Sequence, residues 1–232
     1  MLIYNNHLSG IADQNTIGIG VMVYPGLPPE PFQFHLGILY FHEYDDNSLR
    51  PHFCHLAGNM PTNLKDEPIS FDKPSYWLFS TVTGRKCTTL GAFCRAICDV
   101  DINKGKIPYG FSFRDGLLSP NGKWQGEPGE GLTCATFVLS IFHALHINIL
   151  DIESWYNKPE EDKFIDDKWM QVVCPGCDQQ VQQRLYAGNV SPRFRPEEVL
   201  AGATNFPSYP LSYTEARRLG DEFIAIMKEI LA

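Results

Sequence analysis

The apolar positions of the chain change period along its length. Over residues 16–82 they form short β-branched and aromatic runs separated by turn residues, the texture of strands. Residues 16–24 (Thr-Ile-Gly-Ile-Gly-Val-Met-Val-Tyr) predict a strand whose two glycines permit close approach. A rigid proline-rich loop follows at 25–31. Residues 32–43 (Phe-Gln-Phe-His-Leu-Gly-Ile-Leu-Tyr-Phe-His-Glu) predict a strong strand, and 51–57 (Pro-His-Phe-Cys-His-Leu-Ala) predict its return. Asp45-Asp46-Asn47-Ser48 supplies the turn chemistry, so the pair reads as an antiparallel hairpin. Residues 75–82 predict a further strand, and residues 1–14 read as a polar, loose lead-in.

The period then becomes helical. Leu90, Phe93, Ala96, Ile97, Val100 and Ile102 share one broad face of a helix over 89–103. A short extended piece at 107–113 and a Gly-, Pro- and Asn-rich loop or flap at 114–130 lead to residues 131–150, which contain no Asp, Glu, Lys or Arg. The spacing predicts a buried central helix there, with Thr133 as N-cap and Cys134 at the first helical position. Beyond residue 150 the chain turns acidic and polar. Pro196-Glu197-Glu198 is a helix start, and 214–231 carries an amphipathic pattern through Ala216, Leu219, Phe223, Met227 and Ile230. The expected organisation is a core over 1–150 and a helical C-terminal appendage, 151–232, packed on it.

Composition narrows the function classes. A chain of 232 residues buries one sizeable core. A net charge of −8 argues against nucleic acid and anionic membrane surfaces, which are bound through excess Lys and Arg. Thr, Ser, His and Asn inside 131–150, with no basic flanks, argue against a membrane span. The first seven residues lack a signal-peptide pattern, and an odd count of seven cysteines does not suggest a disulfide framework. A cytoplasmic protein is expected.

The chemistry centres on Cys134. A thiol at a helix start sits among unpaired N–H groups at the positive end of the dipole, which favours thiolate. A nucleophilic cysteine also needs an imidazole, and usually a polar group to orient that imidazole. His143 and His146 lie nine and twelve residues further along the helix, too far at about 1.5 Å per residue. His35, His42, His52 and His55 lie on the hairpin. His35 shares a strand face with Gly37, and a small residue there is expected to leave room for a substrate. A hairpin centred near Asn47 places Asn59 opposite His35 and His55 four residues away on the same face; either would orient the ring. Cys174-Pro175-Gly176-Cys177 offers half a zinc site or a redox pair, but no second ligand pair follows at zinc-site spacing.

Phe34-His35-Leu36-Gly37-Ile38-Leu39-Tyr40 resembles the His-hydrophobic-Gly-Ile-Tyr strand of NlpC-type cysteine peptidases and of the lecithin–retinol acyltransferase family. Gly131-Leu132-Thr133-Cys134-Ala135-Thr136-Phe137-Val138 resembles their nucleophile turn, and His55-Leu56-Ala57 resembles the second histidine of the acyltransferase group. The histidine precedes the cysteine, which is the circularly permuted order of that group. The resemblance spans roughly residues 16–148 and implies an α+β, permuted papain-like (NlpC-like) fold, with an antiparallel sheet packed on a central nucleophile helix. It implies a cysteine hydrolase of amidase or peptidase type. The expected roles are Cys134 as nucleophile, His35 as base, His55 or Asn59 as orienting group, and the Cys134 N–H as oxyanion donor. No metal or organic cofactor is implied; the partner is a small peptide-like or acyl substrate. Ala135-Thr136 stands where the acyltransferase proper has Glu-His, which places acyl transfer or lipid deacylation second. A binding protein that keeps the fold without turnover is the competing class.

Overall fold

The computed structural model describes residues 3–5, 17–25, 32–57, 63–68, 76–79, 82, 84–98, 107–128, 130–163, 179, 183, 191–205 and 210–231. The protein is α+β. Among the described residues six strands, β1 (Ile3–Asn5), β2 (Gly18–Pro25), β3 (Phe32–Glu43), β4 (Leu49–Ala57), β5 (Asn63–Pro68) and β6 (Tyr76–Phe79), form one antiparallel sheet in the order β1-β6-β2-β3-β4-β5. β3 spans the residues its sequence predicts. Two strands were not expected. β1, in the supposed lead-in, pairs with β6. β5 is Asn-Leu-Lys-Asp-Glu-Pro, a charged edge strand that ends the sheet. Charge and proline on an edge discourage pairing with other chains, and they also hide the strand from a hydrophobicity reading.

The β3–β4 hairpin sets the register of the site. The ladder runs from Glu43↔Leu49 to Gly37↔His55. Tyr44 N–H donates to Ser48 O (3.0 Å) and Asn47 N–H to Tyr44 O (2.8 Å), while Asn47 takes φ +58°. A residue in the left-handed region at the end of a short turn is the usual solution for a three-residue hairpin loop, and Asn tolerates it better than most non-glycine residues. The centre of the hairpin therefore falls at Asp46 rather than Asn47. Continued by two residues, this register sets Ala57, not Asn59, across from His35, and it makes His55 a diagonal neighbour of His35 on the same face. Asn59 itself lies outside the described residues.

Among the described residues five helices follow: α1 (Arg85–Cys98), α2 (Cys134–Ala144), α3 (Glu153–Tyr156), α4 (Pro196–Asn205) and α5 (Tyr213–Leu231). α1 begins one turn before the expected residue 89. Gly84, at φ +63°, turns the chain, and its carbonyl accepts from Cys87 and Thr88. Alternation along β3 sends Phe34, Leu36, Ile38 and Tyr40 into one cluster with Ala135, Phe137, Val138, Ile141 and Phe142 of α2. The same cluster holds Leu90, Phe93 and Ile97 of α1, Val199, Leu200 and Ala203 of α4, and Ala216, Phe223 and Met227 of α5. The C-terminal helices thus share the core of the sheet. Phe223 meets Phe34 at 5.0 Å between ring centroids.

Between α4 and α5 lies a buried polar network. Glu198, 1% exposed, accepts from Trp155 Nε1 (3.3 Å) and the Arg195 N–H (3.0 Å), with Arg195 and Arg217 each 3.9 Å from its other oxygen. Tyr213 donates to Asp162 at 2.6 Å, and burial pushes the Tyr213 phenol well above its usual range. A carboxylate this deep is tolerable because donors surround it. Among the described residues no helix is long and apolar enough to cross a membrane.

Candidate active site

The residues that bring Cys134 to the sheet are held by backbone contact. Leu132 N–H donates to Pro108 O (2.8 Å), Gly110 N–H to Leu132 O (3.3 Å) and Ser112 N–H to Gly131 O (2.9 Å). A Cβ on Gly131 would stand 2.5 Å from Pro108 O and 2.7 Å from Tyr109 C, so only glycine fits. The glycine-containing approach to Cys134 is a hydrogen-bonded strand-like pair with residues 108–112. The preceding loop is also tied down. Glu130 takes Arg114 Nε and Nη2 at 2.8 Å each, and Leu117 and Leu118 are buried in the core.

At the head of α2, Thr133 is extended (φ −83°, ψ 173°), and its hydroxyl accepts from the Thr136 N–H at 3.2 Å. Thr136 Oγ1 accepts from the Thr133 N–H at 2.8 Å, completing a capping box. This gives Thr136 a structural task. Cys134 is the first helical residue, as its sequence context predicts, and its side chain is partly buried. Its thiol points at Phe34 O, 4.0 Å away on β3, and the Leu36 backbone also bonds the sulfur. The sulfur therefore lies along the β3 backbone at His35, beyond the last β3–β4 pair.

Burial pushes the Cys134 thiol up. Backbone N–H groups of Leu36, Ala135 and Cys134 itself pull the other way, and the Glu197 carboxylate at the start of α4 adds to the rise. The thiolate expected from helix position alone is not favoured, because desolvation outweighs the N–H groups. Glu197 was not expected near the sulfur. It enters only because α4 packs on α2, β2 and β3.

His35 and His55 meet. His35 Nε2 lies 2.8 Å from His55 Nδ1, with the rings edge-on at 5.0 Å. His55 is 4% exposed. Burial, and then the neighbouring His55, lower the His35 pKa from 6.5 to about 3, so the ring is neutral at physiological pH. Both imidazoles stand on the face of β3 and β4 opposite Leu36 and Ile38. Phe53 stacks on His55 at 4.5 Å. A Cβ on Gly37 would stand 2.5 Å from two Phe53 ring atoms and 2.6 Å from His55 Cβ. The small residue beside His35 therefore admits Phe53 and His55, not a substrate. Phe53 was legible in principle, since it lies two residues before His55 on the same face.

His143 sits 3.3 Å from Asp115, away from the nucleophile. Cys174 and Cys177 lie outside the described residues, and no group of three metal-ligating side chains occurs among the described ones. The neutral His35 imidazole, bonded to His55 of β4, and the partly buried Cys134 thiol thus both lie at residues 34–36 of β3, with the thiol's bonds going to the backbone and not to the ring. The chain matches no protein-family model, no curated protein and no solved structure.

Proposed function

We propose that the protein is a cysteine-dependent hydrolase of amidase or peptidase type, built as a permuted papain-like fold. The observation that supports this reading is the 2.8 Å His35 Nε2–His55 Nδ1 bond, with the thiol that heads a buried helix resting on the backbone of the strand that carries His35. With Nε2–H donating to His55, Nδ1 of His35 holds the lone pair and can take the thiol proton. The two sequence motifs lie a hundred residues apart; the Cys134 thiol rests on Phe34 O, next in the chain to His35, which supports the pairing.

In the proposed cycle the Cys134 thiol turns from Phe34 O toward His35 Nδ1 as substrate binds; catalytic hydrogen bonds often tighten only in that complex. His35 takes the proton as sulfur attacks the carbonyl carbon. Backbone N–H groups at the head of α2 stabilise the oxyanion, and His35 then protonates the leaving group. Water releases the acyl group from Cys134. Because His35 is neutral and Cys134 protonated at rest, the attack is general-base assisted and does not start from a preformed ion pair.

A second reading has its own observation. A thiol held on a backbone carbonyl with its pKa raised suits a binding protein that has kept the fold without turnover. The test is a screen with p-nitrophenyl acetate and short peptide amides on wild type, Cys134→Ser and His35→Ala. The hydrolase reading expects turnover with transient acylation of Cys134, seen by intact mass and lost in both variants. Absence of any Cys134 adduct with the activated ester would support the silent reading.

A further inference from the structure

Away from the imidazole pair, two thiols lie in contact across the core. Cys54 Sγ on β4 is 3.4 Å from Cys98 Sγ, the last residue of α1. We propose that Cys54 and Cys98 are a modification site: a dithiol that peroxide converts reversibly to an intramolecular disulfide tying the sheet to α1.

Both sulfurs are on fixed elements. Cys54 sits mid-strand, paired with Ile38 of β3 on one side and Asp66 of β5 on the other. Its thiol also points at Cys94 O, 3.9 Å away on α1. The α1 face carrying Cys87, Leu90, Gly91, Cys94 and Ile97 is packed into the core, and Gly91 lets the helix approach Tyr40 of β3. A contact of 3.4 Å is far from the bond length of about 2.05 Å but close enough that side-chain rotation can complete it. The two thiols differ in access. Cys54 is wholly buried, whereas Cys98 is partly exposed. An oxidant therefore meets Cys98 first.

The reaction balances with peroxide as oxidant. The Cys98 sulfur attacks one peroxide oxygen, the O–O bond breaks, and Cys98 becomes a sulfenic acid while one water leaves. The Cys54 sulfur then attacks the Cys98 sulfur; the S–S bond forms, and the sulfenic hydroxyl departs with the Cys54 proton as a second water. Two thiols lose two electrons, and one peroxide is reduced to two waters. An external dithiol reverses the change by exchange. In a reducing compartment the pair rests as thiols, as it stands in this structure. This inference does not depend on the hydrolase reading.

The experiment uses the full chain treated with hydrogen peroxide, blocked with N-ethylmaleimide in denaturant and digested without reduction. The expected product is a Cys54–Cys98 linked peptide that dithiothreitol removes. Cys98→Ser should abolish it and leave Cys54 alkylated, whereas Cys94→Ser should retain it. Oxidation in urea should spread the links among all seven cysteines. The proposal is overturned if Cys98 proceeds to sulfinic acid with Cys54 still a thiol, or if Cys98 links mainly to another cysteine. It is also overturned if Cys98 stays alkylatable at peroxide levels that oxidise the other exposed thiols.

Discussion

Replacing Gly37 with alanine should damage both the fold and the imidazole pair. The added Cβ would lie 2.5 Å from Phe53 Cε2 and Cζ and 2.6 Å from His55 Cβ. All three contacts are too short to persist. The ring cannot tilt away freely, because it stacks on His55 at 4.5 Å with 24° between planes. Overpacking of this kind costs about 1–3 kcal/mol, and three simultaneous clashes place Gly37 at the upper end. Alanine also restricts the unfolded chain, which offsets about 0.4–1 kcal/mol. The net expectation is a loss of about 2 kcal/mol, or a Tm lower by about 4–8 °C for a chain of this size. His55 must shift with Phe53, so the His35–His55 bond should break as well. Urea denaturation gives the first effect, and imidazole nitrogen NMR gives the second. Phe53→Leu removes the two ring atoms in the shortest contacts, so adding it to Gly37→Ala should recover part of the loss. A Gly37→Ala protein within about 0.5 kcal/mol of wild type, with the imidazole signals unmoved, would refute this account of the register and packing.

Three further outcomes follow from the same geometry. His35 is buried in its neutral form, with its pKa lowered from 6.5 to about 3, so the unfolded chain gains a proton on acidification before the folded one does. Stability from this group is full above pH 6.5, begins to fall as pH drops through 6.5, and is fully lost near pH 3; linkage gives about 2 kcal/mol lost between pH 7 and pH 5. Urea midpoints at the two pH values should differ by that much more in wild type than in His35→Gln. Thr133→Ala removes the hydroxyl that caps α2 and should cost about 1 kcal/mol in the same assay. Phe223→Ala empties the place against Phe34 and should cost about 3–5 kcal/mol, and it should speed Cys134 alkylation by opening the cover above the strand that holds it.

Much of this site could be read locally, and the rest could not, for physical reasons. β3, the cap at Thr133 and the position of Cys134 are encoded within a few residues of themselves, and pattern alone reaches them. The choice between His55 and Asn59 depended on the turn. One left-handed Asn47 moved the pairing by two residues, which kept every side chain on its expected face but changed the partner of His35. β5 escaped because an edge strand has no need of apolar alternation. The state of Cys134 was misjudged because its helix position is local, whereas its burial and the nearness of Glu197 come from β3 and α4, a hundred and sixty residues apart in the chain. The space beside Gly37 was misjudged for a similar reason. A small residue signals close approach, but only the three-dimensional packing says which neighbour makes it.

The central claim is that Cys134 and His35 act together, and iodoacetamide labelling with peptide mass mapping across the neutral pH range tests it most directly. With the thiol protonated at rest, the hydrolase reading predicts that His35 assists its deprotonation, so Cys134 alkylates more slowly in His35→Ala than in wild type at each pH. A Cys134 that reacts at the same rate in both proteins across that range would contradict it.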